Sequence, residues 1–259
     1  MQYARAVRPV ELPPRGAFHV GRTVLHLNPQ VHVWYPASPG APVPHPLIIL
    51  SPAMGRGPLD YTAIAAELAS FGYVVAGVTP TATGPIDLQH RERAQPLVET
   101  WIADFRHALD QLHEDPQFRG RIAWNRIGLL GHSFGGAAAI HALAVDDRFQ
   151  RAVNMDGAPQ GKPVTGLRRP ALFILGAPLP PDRKALNDQI LKEIQATCDP
   201  GAGCQILDYP EGGHMNFSDA GLAPSPIRLL RARQDLTEID GAAFLRQIVD
   251  RLLAFFSEM

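Results

Sequence analysis

The stretch LLGHSFGGAAAI, residues 129–140, sets a His-Ser pair between an apolar run and a row of glycines and alanines. Upstream, Ile127 to Gly131 reads as a short buried strand; downstream, Ala137 to Leu143 has the composition of a helix. A serine at such a junction sits on a tight turn with a strained backbone, so its neighbours must be small, and Gly131, Gly135 and Gly136 meet that need. The piece GHSFG fits the G-x-S-x-G pattern, in which the turn lifts a serine hydroxyl to the carboxyl edge of a sheet and beside a helix N-terminus. Ser133 is therefore the candidate nucleophile; the plainer alternative is a helix N-cap in a glycine-rich turn.

Working outward, further short apolar runs appear at Leu47 to Leu50, Tyr73 to Val78, Ala152 to Met155, Ala171 to Leu175 and Gln205 to Tyr209. Each suits a strand covered on both faces. Between them lie helical stripes: Tyr61, Ile64, Ala65, Leu68 and Phe71, with Asp60 as N-cap and Gly72 just past the end, then Val98, Trp101, Ile102, Phe105, Leu109 and Leu112 before Pro116. A third stripe runs through Leu245, Ile248, Val249, Leu252 and Phe256. Strand and helix alternating in this way predict a mostly parallel sheet with helices on both faces. RTVLHL and VHVWYP read as an antiparallel pair at one edge, joined through Asn28-Pro29, and the proline-rich piece Ala37 to Pro46 reads as a surface connection.

Composition narrows the function classes. With 259 residues, 46% hydrophobic, one domain over residues 1–259 is expected. Lys+Arg 24 against Asp+Glu 25 leaves no basic excess to attract nucleic acid or an anionic membrane surface. No stretch approaches the ~20 apolar residues of a bilayer span, so stable membrane insertion is not expected. The first ten residues lack the apolar centre of a secretory signal, which suits a cytoplasmic protein or one whose leader has been removed. Cys198 and Cys204 enclose the turn-forming DPGAG, and a small disulfide or two free thiols both fit; a zinc site would need more ligands nearby.

A serine hydroxyl needs a base, and on this kind of sheet the partners follow in the order serine, acid, histidine. Of the ten histidines, only His214 lies beyond residue 141, which makes it the candidate base. Three acids satisfy the order. Asp156 abuts the strand ending at Met155 and precedes Gly157; Asp182 is separated from its strand by Pro180-Pro181 and suits a helix cap; Asp208 falls within a strand. Asp156 is preferred. Two backbone N–H groups are needed for the oxyanion: Phe134, after the serine, supplies one, and Met54 in SPAMGRG supplies the other.

With these residues in hand, the chain resembles the platelet-activating factor acetylhydrolases of the plasma and intracellular type II kind and their bacterial relatives, within the α/β-hydrolase fold. The resemblance runs through VGRTVLHL, VHVWYPA, LIILSPAMG, GHSFGGAAA, DDRFQRAVNMDGAP, GGHMNFSD and IDGAAFLRQIVDRLLAFF. It implies an α/β-hydrolase fold with a mostly parallel central sheet, antiparallel N-terminal edge strands and helices on both faces. It also implies Ser133, Asp156 and His214 as triad, and Met54 and Phe134 as oxyanion donors. Where relatives usually carry a His-Gly pair, this chain has Pro52-Ala53.

The expected activity is cofactor-free cleavage of a small-molecule or lipid ester with a short or uncharged acyl group, through an acyl-enzyme. A general carboxylesterase or a polyester-cleaving hydrolase is the near alternative; a cofactor-free perhydrolase and a non-catalytic binding protein stand further off. Met215 and Phe217 are candidate substrate-binding residues, with Leu222, Ile227 and Leu230 in the loop from Ser218 to Ile239 as further apolar contacts. No metal is expected.

Overall fold

The computed structural model describes residues 12–40, 43–223 and 236–259. Its centre is an 8-stranded sheet in the order β1-β2-β4-β3-β5-β6-β7-β8. The strands are β1 (Val20–Leu25), β2 (Val31–Pro36), β3 (His45–Ser51), β4 (Val74–Val78), β5 (Ile122–His132), β6 (Arg151–Met155), β7 (Ala171–Leu175) and β8 (Gln205–Asp208). β2 runs antiparallel to both β1 and β4, and every other pairing is parallel. The expected edge pair is thus present, and the crossovers of the parallel part place helices on both faces.

Alternation along the strands decides which face each residue joins. Leu47 and Ile49 of β3 pack with α2 (Gln95–Glu114) and α3 (Phe134–Val145), while Ile48 and Leu50 pack with α1 (Thr62–Ser70) and the C-terminal helix α5 (Gly241–Phe256). All six predicted stripe residues of α2 and all five of α5 are buried. At roughly 1.5 to 3 kcal/mol for each large apolar side chain removed from water, these stripes supply most of the force holding the helices to the sheet. α2 ends at Glu114 because Asp115 is drawn into an extended conformation ahead of Pro116.

Two details of α1 differ from expectation. Asp60 does not cap it: Pro58 starts a separate 3-10 turn, Pro58–Tyr61, and the Asp60 carboxylate accepts the Gly57 N–H of that turn at 3.0 Å. The cap of α1 comes instead from far along the chain, where the Asp219 carboxylate accepts the Ala63 N–H at 3.1 Å. Phe71, placed on the core stripe, is 42% exposed, because the helix stops at Ser70 and Gly72 turns the chain away at φ +103°. β5 is also longer than the apolar run suggests, extending back to Ile122. The fourth helix, α4 (Lys184–Thr197), leads to Cys198, which is disulfide-bonded to Cys204 just before β8. No helix among the described residues is long and apolar enough to cross a membrane.

Burial pushes the Asp219 carboxyl up to about 6 against the opposing pull of two α1 N–H groups, with the Asp60 charge adding to the rise. Between about pH 4 and 6 the folded chain therefore holds more protons here than the unfolded chain, and stability falls across that window as pH rises. Asp219→Asn keeps an acceptor for Ala63 without the buried charge. Calorimetric melts should show the variant gaining on the wild type by on the order of 2 kcal/mol between about pH 4 and pH 8.

Candidate active site

The strand ends converge on one edge of the sheet. His132 of β5 stands level with Met155 of β6, so Ser133 and Asp156 leave adjacent strands at the same height. The Ser133 N–H donates to the Met155 carbonyl at 2.8 Å, and the Asp156 N–H donates to the Ile174 carbonyl of β7 at 2.7 Å. Both residues are strained: Ser133 has φ 56° and Asp156 φ 51°, the two positive-φ non-glycine residues among those described. Such conformations cost of order 1 to 3 kcal/mol each and persist only where the surroundings force them.

Glycine contacts show what does the forcing. A Cβ on Gly131 would lie 2.1 Å from the Gly135 carbonyl oxygen, one on Gly135 would lie 2.4 Å from the Pro52 carbonyl oxygen, and one on Gly157 would lie 2.2 Å from the Ser133 carbonyl oxygen. β5, the start of α3, the loop after β3 and the turn after β6 thus touch backbone to backbone around Ser133. The residues from Phe134 to Leu143 are all buried, which is why the helix is built from alanines and glycines. Ser133 occupies the N-cap position of α3, yet its side chain makes no capping hydrogen bond. The N-cap alternative leaves that hydroxyl's role unexplained.

His214 arrives by another route. β8 ends at Asp208, the chain turns through Gly212 and Gly213, and His214 opens the 3-10 turn His214–Phe217. The Ala177 N–H after β7 donates to the Gly212 carbonyl at 2.7 Å, pinning this turn to the sheet edge. His214 Nδ1 lies 2.6 Å from Asp156 Oδ2, while Asp156 Oδ1 accepts the Gly176 N–H at 2.8 Å. Both carboxylate oxygens are therefore occupied. With Nδ1–H donated to the carboxylate, Nε2 is the lone-pair nitrogen of the neutral ring. Asp182 and Asp208 are exposed and neither makes a hydrogen bond to His214.

The loop after β3 carries Met54. The Arg56 N–H donates to the Ala53 carbonyl at 3.0 Å around Gly55, at φ +72°, and the Ala53 N–H donates to Tyr61 Oη at 2.9 Å. Among the described residues, neither the Met54 nor the Phe134 N–H has a hydrogen-bond partner. The Phe134 ring is buried edge-on against Trp101. Met215 is 7% exposed and Phe217 0% exposed, the latter packed against His132 and Phe244. Phe217 is core beneath the histidine turn, where a substrate does not reach it as the turn stands. Leu222 is buried; Ile227 and Leu230 lie outside the described residues.

Several supporting residues escaped the sequence reading. Asn154 brackets the turn that carries Asp156, with its Oδ1 accepting the Gly157 N–H at 2.8 Å and its Nδ2 donating to the Gly157 carbonyl at 2.9 Å. A polar residue inside an otherwise apolar strand was its available signal. Asn216 braces the histidine turn by accepting the Gly213 and Thr237 N–H groups at 2.9 Å. His132, wholly buried, is held well below the usual histidine range by burial first and then by the neighbouring His214.

The sequence pattern of the family described as platelet-activating factor acetylhydrolase, isoform II, matches residues 102–259. Among curated relatives, a platelet-activating factor acetylhydrolase of Cavia porcellus is 26% identical over 226 residues, covering 71% of this chain and 50% of its own length. A probable 1-alkyl-2-acetylglycerophosphocholine esterase of Arthroderma benhamiae is 28% identical over 190 residues, covering 67% of this chain and 48% of its own. The chain spans about half the length of these relatives. Among solved structures, a ferulic acid esterase from Streptomyces cinnamoneus superposes with a TM-score of 0.75 at 26% identity, over 95% of this chain and 91% of that one.

If the turn depends on backbone contact, Gly131→Ala should lose about 2 kcal/mol or more, because the atom it meets is main chain and has nowhere to go. Gly120→Ala, where a Cβ meets nothing within 4 Å, serves as the control and should melt close to the wild type.

Proposed function

Because this chain belongs to the platelet-activating factor acetylhydrolase, isoform II, family, we propose that it is a single-domain serine ester hydrolase with Ser133 as nucleophile, His214 as base and Asp156 as acid. The observation that carries this reading is the 2.6 Å contact between His214 Nδ1 and Asp156 Oδ2 at the same sheet edge as the strained Ser133 turn. Asp156 holds the imidazole tautomer that leaves Nε2 free, and stabilises the imidazolium that forms when the Ser133 proton is taken.

In the first half-reaction Ser133 Oγ bonds to the ester carbonyl carbon and its proton passes to His214 Nε2. The carbonyl oxygen becomes an oxyanion held by the Phe134 and Met54 N–H groups. Collapse breaks the bond to the alcohol oxygen, which leaves with the proton from His214. Water then gives a proton to His214 and adds to the acyl carbon; the Ser133–acyl bond breaks and the serine recovers its proton. The start of α3 favours the negative charge in both halves. Met54 and Met215 are the residues we assign to substrate contact, with Phe217 acting from beneath. No step calls for a cofactor.

The substrate we favour is a small or lipid ester with a short, uncharged acyl group, as the names of the acetylhydrolase relatives suggest. The ferulic acid esterase neighbour, which matches the full fold, supports an aromatic ester as the second reading. Rates on p-nitrophenyl esters of rising chain length, a short sn-2 phospholipid and methyl ferulate would rank them. Ser133→Ala should lose about 10³-fold or more in kcat/KM, and Asp156→Asn about 10³- to 10⁴-fold. Asp182→Asn should stay near the wild type. No hydrolysis by the wild type would leave a binding protein, and turnover only with peroxide would leave a perhydrolase.

A further inference from the structure

Tyr61 lies eight residues beyond Ala53 and is wholly buried. Its hydroxyl meets two polar atoms, the Ala53 N–H at 2.9 Å and His132 Nδ1 at 2.7 Å. The phenol has one proton, and the Ala53 N–H must be a donor. The oxygen could accept from both partners, but the buried O–H proton would then have no acceptor; we therefore assign the O–H as donating to His132 Nδ1, with the His132 proton on Nε2. The His132 ring in turn faces His214, with centroids 4.7 Å apart and planes at 40°. One hydroxyl thus joins the loop that carries Met54, the residue before Ser133, and through that residue's ring the imidazole of His214.

From this geometry, and resting on the esterase reading above, we propose that Tyr61 is a positioning residue: its hydroxyl sets the Met54 N–H against the Ser133 turn so that both oxyanion donors are in place before substrate arrives. Other restraints on the loop act on different atoms: the Pro52 carbonyl packs against Gly135, and the Gly84 N–H lies 3.5 Å from Met54 Sδ. Pro52 has no N–H to donate, and the turn bond from the Arg56 N–H to the Ala53 carbonyl shapes the loop without tying it to β5. The Tyr61 hydroxyl supplies that tie. Burial keeps His132 uncharged beside His214, so the stacked ring does not oppose the imidazolium that forms during attack. A displaced Met54 N–H would weaken binding of the tetrahedral intermediate and leave ground-state binding of the ester largely intact.

The test is Tyr61→Phe, which keeps the buried ring and removes only the oxygen. On p-nitrophenyl acetate we expect kcat to fall about 10- to 100-fold with KM within about threefold. The inhibition constant of a trifluoromethyl ketone, whose adduct with Ser133 carries an oxyanion, should rise by the same factor as kcat/KM falls. Loss of packing alone would not tie the two numbers together. A second pair guards against a variant that fails to fold: His132→Asn and His132→Leu both lose the ring stacked on His214, but only His132→Asn keeps an acceptor for the Tyr61 hydroxyl, so it should retain about 10-fold more kcat/KM and tighter ketone binding than His132→Leu. The proposal is overturned if Tyr61→Phe keeps kcat, if kcat falls while ketone affinity holds, or if the two His132 variants are equal. Wild type and Ser133→Ala run beside them separate the levels: an inactive wild type overturns the esterase reading and this proposal together, whereas an active wild type with an unaffected Tyr61→Phe overturns this proposal alone.

Discussion

Everything at the candidate site depends on the chain reversing from β5 into α3 within a single residue. That reversal is unfavourable in isolation, since Ser133 adopts a left-handed φ without being glycine. It is held by a steric cage in which Gly131, Gly135 and Gly157 let four backbone segments approach closer than any side chain permits. The apolar core that clamps β5 between the two helical layers supplies the energy. Strain of this kind persists only where the surroundings force it, and Ser133, although at the N-cap position of α3, makes no capping hydrogen bond.

The same logic recurs at Asp156, the other strained residue. Its turn is tied by Asn154 from within β6 and by the Gly176 N–H from the end of β7. The carboxylate consequently has both oxygens engaged before any substrate is present, and the imidazole meets a fixed partner. The histidine, by contrast, sits on a 3-10 turn secured by Asn216, by Thr237 and by the stacked rings of His132 and Phe217. Ser133 and Asp156 are thus held by the sheet edge itself, whereas His214 is held by a separately braced turn that meets Asp156 from outside the sheet.

Much of this was legible in the sequence because parallel strands buried on both faces appear as short apolar runs, and because the small residues around Ser133 have a local steric cause. The pairing of His214 with Asp156 is non-local, and it was legible only because chain order leaves one histidine beyond residue 141 and because Asp156 abuts a strand end. What stayed hidden was non-local. Tyr61 falls on a helical stripe and reads as core; its ring is core, and its hydroxyl finds partners 8 and 71 residues away. Asp60 reads as the cap of α1 because capping rules look at neighbours, whereas the cap comes from Asp219, 156 residues along from Ala63. Phe217, whose ring is wholly buried, reads as a pocket residue because apolar side chains beside the His214 turn and apolar side chains beneath it look alike in a sequence. The disulfide between Cys198 and Cys204 was one of two open readings, since spacing permits a bond without requiring it.

The register of β5 against β6 has a consequence of its own. With His132 opposite Met155, the ladder between these two strands works as an alignment gauge for the residues that follow them. A slip by one position would carry one strand end about 3.3 Å along its neighbour, more than the whole tolerance of a charged hydrogen bond. The apolar alternation that fixes that ladder, Leu129 into one layer and Leu130 into the other, therefore sets from a distance the height at which Ser133 and Asp156 leave their strands.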